Sequence, residues 1–123
     1  MQGYLYEEVT GQVIGAAFEV YKKLGYGFLE KVYERALIVE LEEKGLKLEA
    51  QKPVQISYKG KVVGDYITDL LVDDKVIVEL KAEKEYNPKH EAQLINYLNA
   101  TELRVGLLIN FGQEKCKPKR LVN

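Results

Sequence analysis

The sequence predicts an α+β domain in which helices pack on a mixed β-sheet. Two segments of helical length, each with apolar residues three and four positions apart, come first, and a long segment rich in Val, Ile and Tyr follows them. A third helical segment then precedes another continuous apolar run. This order of helix, helix, strands, helix and strand is typical of helices covering a mixed sheet. The chain of 123 residues has no linker or internal repeat, so residues 1–123 are predicted to form a single domain.

The first two elements are predicted to be amphipathic helices. The first runs from Glu7 to Leu24 and stops at the glycines of "GYG" at 25–27. The second runs from about Phe28 to Lys44 and stops at Gly45. Each helix carries one apolar stripe, made of Val9, Val13, Ala16, Ala17, Val20 and Leu24 in the first and of Leu29, Val32, Tyr33, Ala36, Leu37 and Leu41 in the second.

The middle of the chain is predicted to be an antiparallel meander. The segment "VQISYKGKVVGDYITDLLVDDKVIVELKAE" is rich in β-branched residues and carries turn signals at Lys59-Gly60 and at Asp73-Asp74. These signals divide it into three strands. A short strand near Leu46–Glu49 could precede the meander.

The last part of the chain is predicted to add a helix and a buried strand. "NPKHEAQLINYLNA" begins with Asn87 as a helix N-cap and Pro88 at the first helical position, which is a strong start signal. The apolar run "LRVGLLINF" follows as a strand. The tail "GQEKCKPKRLVN" is polar and basic until its last residues, so it is either an edge strand or loose.

Composition excludes several classes of protein. A formal net charge of −1 argues against tight, non-specific coating of nucleic acid by a basic surface, although a local basic groove fits this balance. The single cysteine, Cys116, excludes an intramolecular disulfide framework and favours a reducing cytoplasm. The N-terminal residues lack the pattern of a signal peptide, and no apolar run is long enough to span a bilayer. We therefore expect a cytoplasmic protein without a membrane partner.

Three charged residues stand among the apolar runs of the meander. Asp69 falls in its second strand, and Glu79 and Lys81 fall in its third. Since an unpaired buried charge is costly, these residues either lie at strand ends in solvent or form a site. Two carboxylates on adjacent strands could hold Mg²⁺ or Mn²⁺, which prefer oxygen ligands. Lys81 could then position or deprotonate the attacking water, or stabilise developing negative charge.

The length of the turn between the second and third strands decides whether these side chains meet. A two-residue loop at Asp73-Asp74 would pair Asp69 with Val78 and send Glu79 to the other face. A three-residue loop would pair Val72 with Val76 and place Asp69 across from Glu79. Asp-Asp is a poor substitute for the Asn-Gly or Asp-Gly that two-residue turns favour. We therefore predict the odd-length loop, or a bulge with the same effect, and the convergence of Asp69, Glu79 and Lys81 on one face.

Three motifs give the chain a resemblance to a known family. "TD…VELK" resembles the D…ExK core of the PD-(D/E)XK nuclease superfamily, with Thr68 in place of the proline. Gly27-x-x-Glu30-x-x-Tyr33 is similar to the pattern of the GxxExxY protein family, a branch of that superfamily. Gln93-Leu94-x-x-Tyr97 resembles the QxxxY motif of nucleases such as phage lambda exonuclease. The resemblance spans nearly the whole chain and implies a restriction-endonuclease-like core.

The resemblance also implies roles for individual residues. Asp69 and Glu79 would ligate Mg²⁺ or Mn²⁺, with the carbonyl of Leu80 as a third ligand, and Lys81 would be the catalytic lysine. Glu30 would face the site as an additional acid and metal ligand. Residues on one face of the third helix, Gln93 and Tyr97, would contact the substrate backbone or brace the lysine, and His90 falls on that same face.

The same residues can also be interpreted as purely structural or solvent-exposed. Asp69 could be a strand-end charge paired with Lys81, and Glu79 a solvated rim residue. We expect Tyr33 in the core, His90 exposed near its helix start and Cys116 without a role. The leading hypothesis is a metal-dependent phosphodiesterase acting on nucleic acid, either DNA or RNA. The alternative is a non-catalytic module of the same fold that binds nucleic acid or a protein partner, and a homodimer could supply additional contact surface.

Overall fold

The computed structural model describes residues 5–123 and contains three helices and five strands. The helices are α1 (Glu7–Leu24), α2 (Glu30–Glu43) and α3 (Pro88–Ala100). The strands are β1 (Leu48–Tyr58), β2 (Lys61–Val72), β3 (Val76–Lys81), β4 (Val105–Asn110) and β5 (Lys117–Val122). Residues 1–4 of the predicted domain lie outside the described part. Within residues 5–123, no helix is long and apolar enough to cross a membrane.

The five strands form one mixed sheet in the order β1-β2-β3-β4-β5. The β1–β2, β2–β3 and β4–β5 pairs are antiparallel, and the β3–β4 pair is parallel with α3 as the crossover. The predicted α+β class with an antiparallel meander in a mixed sheet is therefore confirmed. The tail, predicted as either an edge strand or loose, is the edge strand β5.

The sheet lies between two helical layers, each with its own apolar core. Buried residues of α1 and α2, such as Val13 and Leu37, pack on one face of the sheet against Leu70, Val78 and Leu80. On the other face α3 packs through Leu94 and Leu98, together with Tyr66, Ile77, Leu108 and others. The strands β3 and β4 are buried on both faces, which explains their continuous apolar sequences.

Helix boundaries follow their capping residues closely. α1 spans the predicted residues and ends at Gly25, whose φ of 69° suits glycine. α3 begins as predicted, because the Asn87 side chain accepts a hydrogen bond of 3.0 Å from Lys89 N. α2 begins two residues later than predicted, since Leu29 is still extended with ψ of 152°. Glu30 is thus its first helical residue, where the helix dipole favours an acid.

The sequence predicts a first meander strand from Val54 and leaves a separate short strand near Leu46–Glu49 open, but β1 is continuous from Leu48 to Tyr58. Within this continuous strand, however, the side chains switch from one face of the sheet to the other. Leu48 packs against the first core and Val54 against the second, although residues six apart in a regular strand share a face. Tyr66 and Leu71 of β2 show the same interruption, since residues five apart should lie on opposite faces but both belong to the second core. Gln51, with a φ of 54°, marks the irregular position.

Tyr33 anchors the loop between α1 and α2. It is fully buried, as expected for a core residue, and its ring stacks on Phe111 with centroids 4.6 Å apart. Its hydroxyl donates to Gly25 O over 2.6 Å and accepts from Phe28 N over 3.2 Å. This tyrosine therefore ties residues 25–28 to the core of the domain.

Replacing Tyr33 with phenylalanine should destabilise the fold by about 1–2 kcal/mol, because a buried polar network loses its central hydroxyl. Urea unfolding followed by circular dichroism measures this loss. Tyr97→Phe is the matched control, since no hydrogen bond joins the Tyr97 hydroxyl to any part of residues 5–123. Equal stabilities of the two variants would contradict the anchoring role of Tyr33.

Candidate active site

The turn between β2 and β3 sets the register of the site. Val72 pairs with Val76, so three residues separate the paired positions, and the predicted odd-length loop is confirmed. Asp73 and Asp74 both have positive φ, which aspartate tolerates better than most residues. Lys47 holds this turn from the neighbouring segment. Its backbone N donates to Asp73 Oδ1 over 3.0 Å, and its ammonium lies 2.8 Å from Asp74 Oδ2.

The β2–β3 ladder ends at the pair Leu70–Val78, one step before Asp69 and Glu79. Beyond that point the two acidic side chains replace the backbone contacts. Leu80 N donates to Asp69 Oδ2 over 2.8 Å, and Asp69 N donates to Glu79 Oε1 over 3.2 Å. Each carboxylate therefore binds the backbone of the opposite strand. Asp69 lies in the gap where the two strands separate.

Glu79 is a strongly perturbed acid. Burial and the charge of Asp69 raise the pKa of Glu79 to about 7, against the opposing effect of a hydrogen bond from the Tyr66 hydroxyl. The same environment raises the pKa of Tyr66, first through burial and then through the Glu79 charge. Two carboxylates share a poorly solvated site here. Such an arrangement favours a bound cation.

Asp69 is also less acidic than an ordinary aspartate. Burial raises the pKa of Asp69, the Leu80 hydrogen bond opposes that effect, and the charge of Glu34 raises it further. The nearby ammonium of Lys81 lowers it. Lys81 and Glu79 line one small cavity against α3, as expected for strand residues two positions apart. The three residues predicted to converge on one face do come together, but only Glu79 and Lys81 line the cavity on the α3 face. Asp69 lies in the gap between the strands and also feels the charges of Glu34 and Lys31 on α2.

Glu30 approaches the site from the opposite layer. Glu30 is an exposed residue at the start of α2, and no hydrogen bond joins its carboxylate to residues 5–123. The carboxylate is still partly desolvated, which raises the pKa of Glu30, while the charge of Lys81 lowers this pKa and the charge of Asp69 raises it. Glu30 therefore lies within electrostatic reach of the site.

Sequence reasoning missed Glu34, one helical turn after Glu30. Its side chain is buried and accepts hydrogen bonds from Lys31 Nζ over 3.0 Å and from Gln51 Nε2 over 2.9 Å. A signal was present in the sequence. Glu34, Leu37 and Leu41 have helical spacing, so this acid falls on the buried stripe of α2.

The third helix supports the site through stacked rings. The Tyr97 ring lies on Tyr66 with centroids 3.5 Å apart and planes 20° apart, and Tyr66 donates its hydroxyl to Glu79. Tyr97 therefore positions Glu79 indirectly. Gln93 is exposed at the rim of the cavity that holds Glu79 and Lys81.

His90 was expected to be exposed, and that expectation is wrong. Only 21% of its side chain is exposed, because its ring packs over the cavity and contacts Glu83 at 2.9 Å. Glu83 is held in turn, since its backbone N donates to Asn110 Oδ1 and its carbonyl accepts from Asn110 Nδ2. The segment after β3 thus brings a partner to His90 that the helix periodicity alone does not predict.

The oxygen atoms at the strand gap suit a divalent cation. Among residues 5–123, no three Asp, Glu, His or Cys side chains form a metal-binding group, so Glu30, predicted as an additional ligand, does not join Asp69 and Glu79 in one. Mg²⁺ commonly binds through one or two carboxylates and several waters. The carbonyl of Leu80 adds a third oxygen. Lys81 O accepts from Phe111 N on the β4 side, so the carbonyl of Leu80 points the other way, toward the gap at Asp69.

Fold and site together define a restriction-endonuclease-like α+β domain with a D…ExK arrangement on two adjacent strands. A family model of the PD-(D/E)XK nuclease superfamily matches residues 7–121, and the chain belongs to that superfamily. The narrower resemblance to the GxxExxY family stays a prediction. No significant match was found among curated proteins or among solved structures.

Proposed function

We propose that this protein is a Mg²⁺- or Mn²⁺-dependent phosphodiesterase that cleaves nucleic acid. The observation that carries the proposal is the pair of half-buried, mutually repelling carboxylates, Asp69 and Glu79, which lie beside an ammonium group at the end of a strand pair. Membership of the nuclease superfamily supports this chemistry. A cytoplasmic location and a homodimer both stay predictions.

Each residue of the site would have a distinct task. Asp69, Glu79 and the Leu80 carbonyl would hold the cation, which would neutralise charge on the scissile phosphate. Lys81 would donate to the phosphate oxygens and stabilise the charge that develops as the phosphorus is attacked. Tyr66 and Tyr97 would fix the Glu79 side chain. Glu30 would add an acid at the start of α2, on the side of the site opposite α3, where it could orient water. Gln93 would contact the substrate backbone.

Removing one carboxylate tests the cation site directly. We expect Asp69→Asn to abolish Mn²⁺ binding measured by isothermal calorimetry, because a single remaining carboxylate loses both charge and chelation. Asp65→Asn is the matched control, since Asp65 is an exposed acid on the same strand. Unchanged Mn²⁺ binding in the Asp69 variant would refute the assignment of the site.

Cleavage is tested with labelled single- and double-stranded oligonucleotides, with Mn²⁺ or with a chelator. The proposal requires products that appear with the metal and disappear in the Asp69 variant. Metal binding without any cleavage would instead favour the non-catalytic module.

A further inference from the structure

An open groove of about 1030 Å³ lies beside the candidate active site. One wall is the loop of residues 25–29 between α1 and α2, of which residues 26–29 line the groove. The other wall is residues 112–117, which run from the segment after β4 to the first residue of β5. Ala82, the residue after Lys81, lies between them. Gly112 lets the second wall approach closely, because a side chain there would collide with the backbone of Ala82 and Glu83. The six proposed catalytic and substrate-binding residues do not line this groove; they are Asp69, Glu79, Lys81, Glu30, Gln93 and Tyr97.

Shared lining residues connect the groove to the candidate active site. A second cavity of about 200 Å³ shares Gln113 and Lys117 with the groove. That cavity in turn shares Lys81 and His90 with the small cavity that holds Glu79. A chain bound in the groove could therefore extend along one path to the carboxylate pair.

Two exposed aromatic rings stand on the first wall. Tyr26 is 60% exposed and Phe28 is 47% exposed, although large aromatic rings are usually buried more completely. Phe28 is held in place, since its ring contacts Tyr33 edge-on with centroids 6.1 Å apart and planes at 82°. The hydrogen bonds of Tyr33 to Gly25 and Phe28 fix the same loop. A ring that is already ordered loses little entropy when a ligand stacks on it.

The groove also carries unbalanced positive charge. Lys84, Lys115 and Lys117 line it against a single acid, Glu114, although the whole chain has a formal net charge of −1. Within residues 5–123 none of these three ammonium groups makes an ion pair or a hydrogen bond, whereas the neighbouring Lys119 is paired with Glu91 at 2.9 Å. The three cations are thus available to an anionic ligand.

We propose that this groove binds single-stranded nucleic acid and leads it to the catalytic centre. Bases would stack on Tyr26 and Phe28, and the phosphates would lie along Lys84, Lys115 and Lys117. A duplex is a poorer ligand because its base faces are hidden in the helical stack, which leaves the two rings without a partner. The path from the groove to the candidate active site rests on the proposed function. Binding of single-stranded nucleic acid in the groove requires no catalysis.

Fluorescence anisotropy with a labelled (dT)12, a (U)12 and a duplex of equal length tests the groove. EDTA is present throughout, so no metal-dependent cleavage takes place. We expect the wild-type protein to bind the single strands more tightly than the duplex. Tyr26→Ala should raise the Kd for the single strands about five- to hundredfold, since one stacking platform is lost. Tyr58→Ala is the control, because Tyr58 is 64% exposed on β1 and lies outside the groove.

A charge variant gives an independent measurement. The double substitution Lys84→Gln/Lys115→Gln should weaken binding and reduce its dependence on salt, because two phosphate contacts are lost. The control is Lys44→Gln/Lys61→Gln, which changes the net charge by the same amount at exposed sites away from the groove.

Equal loss of affinity in the groove variants and their controls would overturn the proposal, as would preferential binding of the duplex or no binding at all. These results would leave the phosphodiesterase assignment standing if Mn²⁺-dependent cleavage is observed separately. Conversely, binding that depends on the groove residues, without any cleavage, would support the groove as a binding site and refute the phosphodiesterase assignment.

Discussion

Replacing Lys81 with methionine is expected to lower the rate of metal-dependent cleavage by about two to three orders of magnitude, the usual cost of removing one group that stabilises transition-state charge. The ammonium group is close to the carboxylates, since its charge lowers the pKa of both Asp69 and Glu30. Methionine keeps the length and much of the apolar stem, so the cavity beside Glu79 stays filled. The loss should therefore appear in kcat more than in substrate binding.

Single-turnover cleavage of a labelled oligonucleotide at saturating protein measures this effect. Lys61→Met is the matched control, because Lys61 is an exposed lysine at the start of β2 without an ion pair to residues 5–123. Mn²⁺ affinity should stay within a few-fold of wild type in the Lys81 variant. Full cleavage activity in that variant would show that Lys81 has no catalytic role.

Local sequence signals predicted the scaffold of the site well. Glycines 25 and 45 follow the helix ends, Asn87 caps α3, and the Asp73–Lys75 loop fixes the strand register. These features depend on neighbours only a few residues away, so their chemistry can be recognised without a fold. The motifs around Glu79 and Gln93 then predicted the superfamily, which the family match confirms.

The supporting residues were harder to predict because they depend on tertiary geometry. Tyr66 contacts Glu79 beside the position where β2 changes face, and the paired strand β1 has its irregular residue, Gln51, at the same level. Glu34 is buried because Gln51 and Lys31 satisfy its oxygens. Helical spacing places Glu34 on the buried stripe of α2, but no pattern within one element reveals its contact with Gln51 or the contact of Tyr66 with Glu79.

The groove could not be predicted from the sequence for the same reason, because its walls come from distant segments. Its walls, residues 25–29 and 112–117, are more than 80 positions apart in the sequence. Neither segment has a recognisable motif for binding nucleic acid. The short basic run near the C-terminus supplies only part of the positive charge that lines the groove. Tyr21, on α1 just before the first wall, donates its hydroxyl to Gln113 O in the second wall. A binding surface assembled in this way becomes visible only after the chain has folded.

Replacing Glu79 with glutamine should stabilise the metal-free protein at pH 8. Folding raises the pKa of Glu79 from 4.5 to about 7, so the folded state holds a proton that the unfolded state releases between these values. Stability therefore falls as pH rises through this window, and the ionised carboxylate costs about 3 kcal/mol above it. Glutamine carries no charge, and its side-chain oxygen can still accept from the Tyr66 hydroxyl.

Thermal unfolding in EDTA at pH 4.5 and pH 8 measures this difference. At pH 8 the variant should melt about 10 °C above wild type, and at pH 4.5 the two should agree, because both then carry a neutral side chain. Glu102→Gln, an exposed position in the loop before β4, should change neither value. Added Mn²⁺ should reverse the order at pH 8, since a cation that binds only the native wild-type site stabilises it by mass action. A Glu79 variant that melts at or below wild type in EDTA at pH 8 would contradict the electrostatic strain on which the cation site depends.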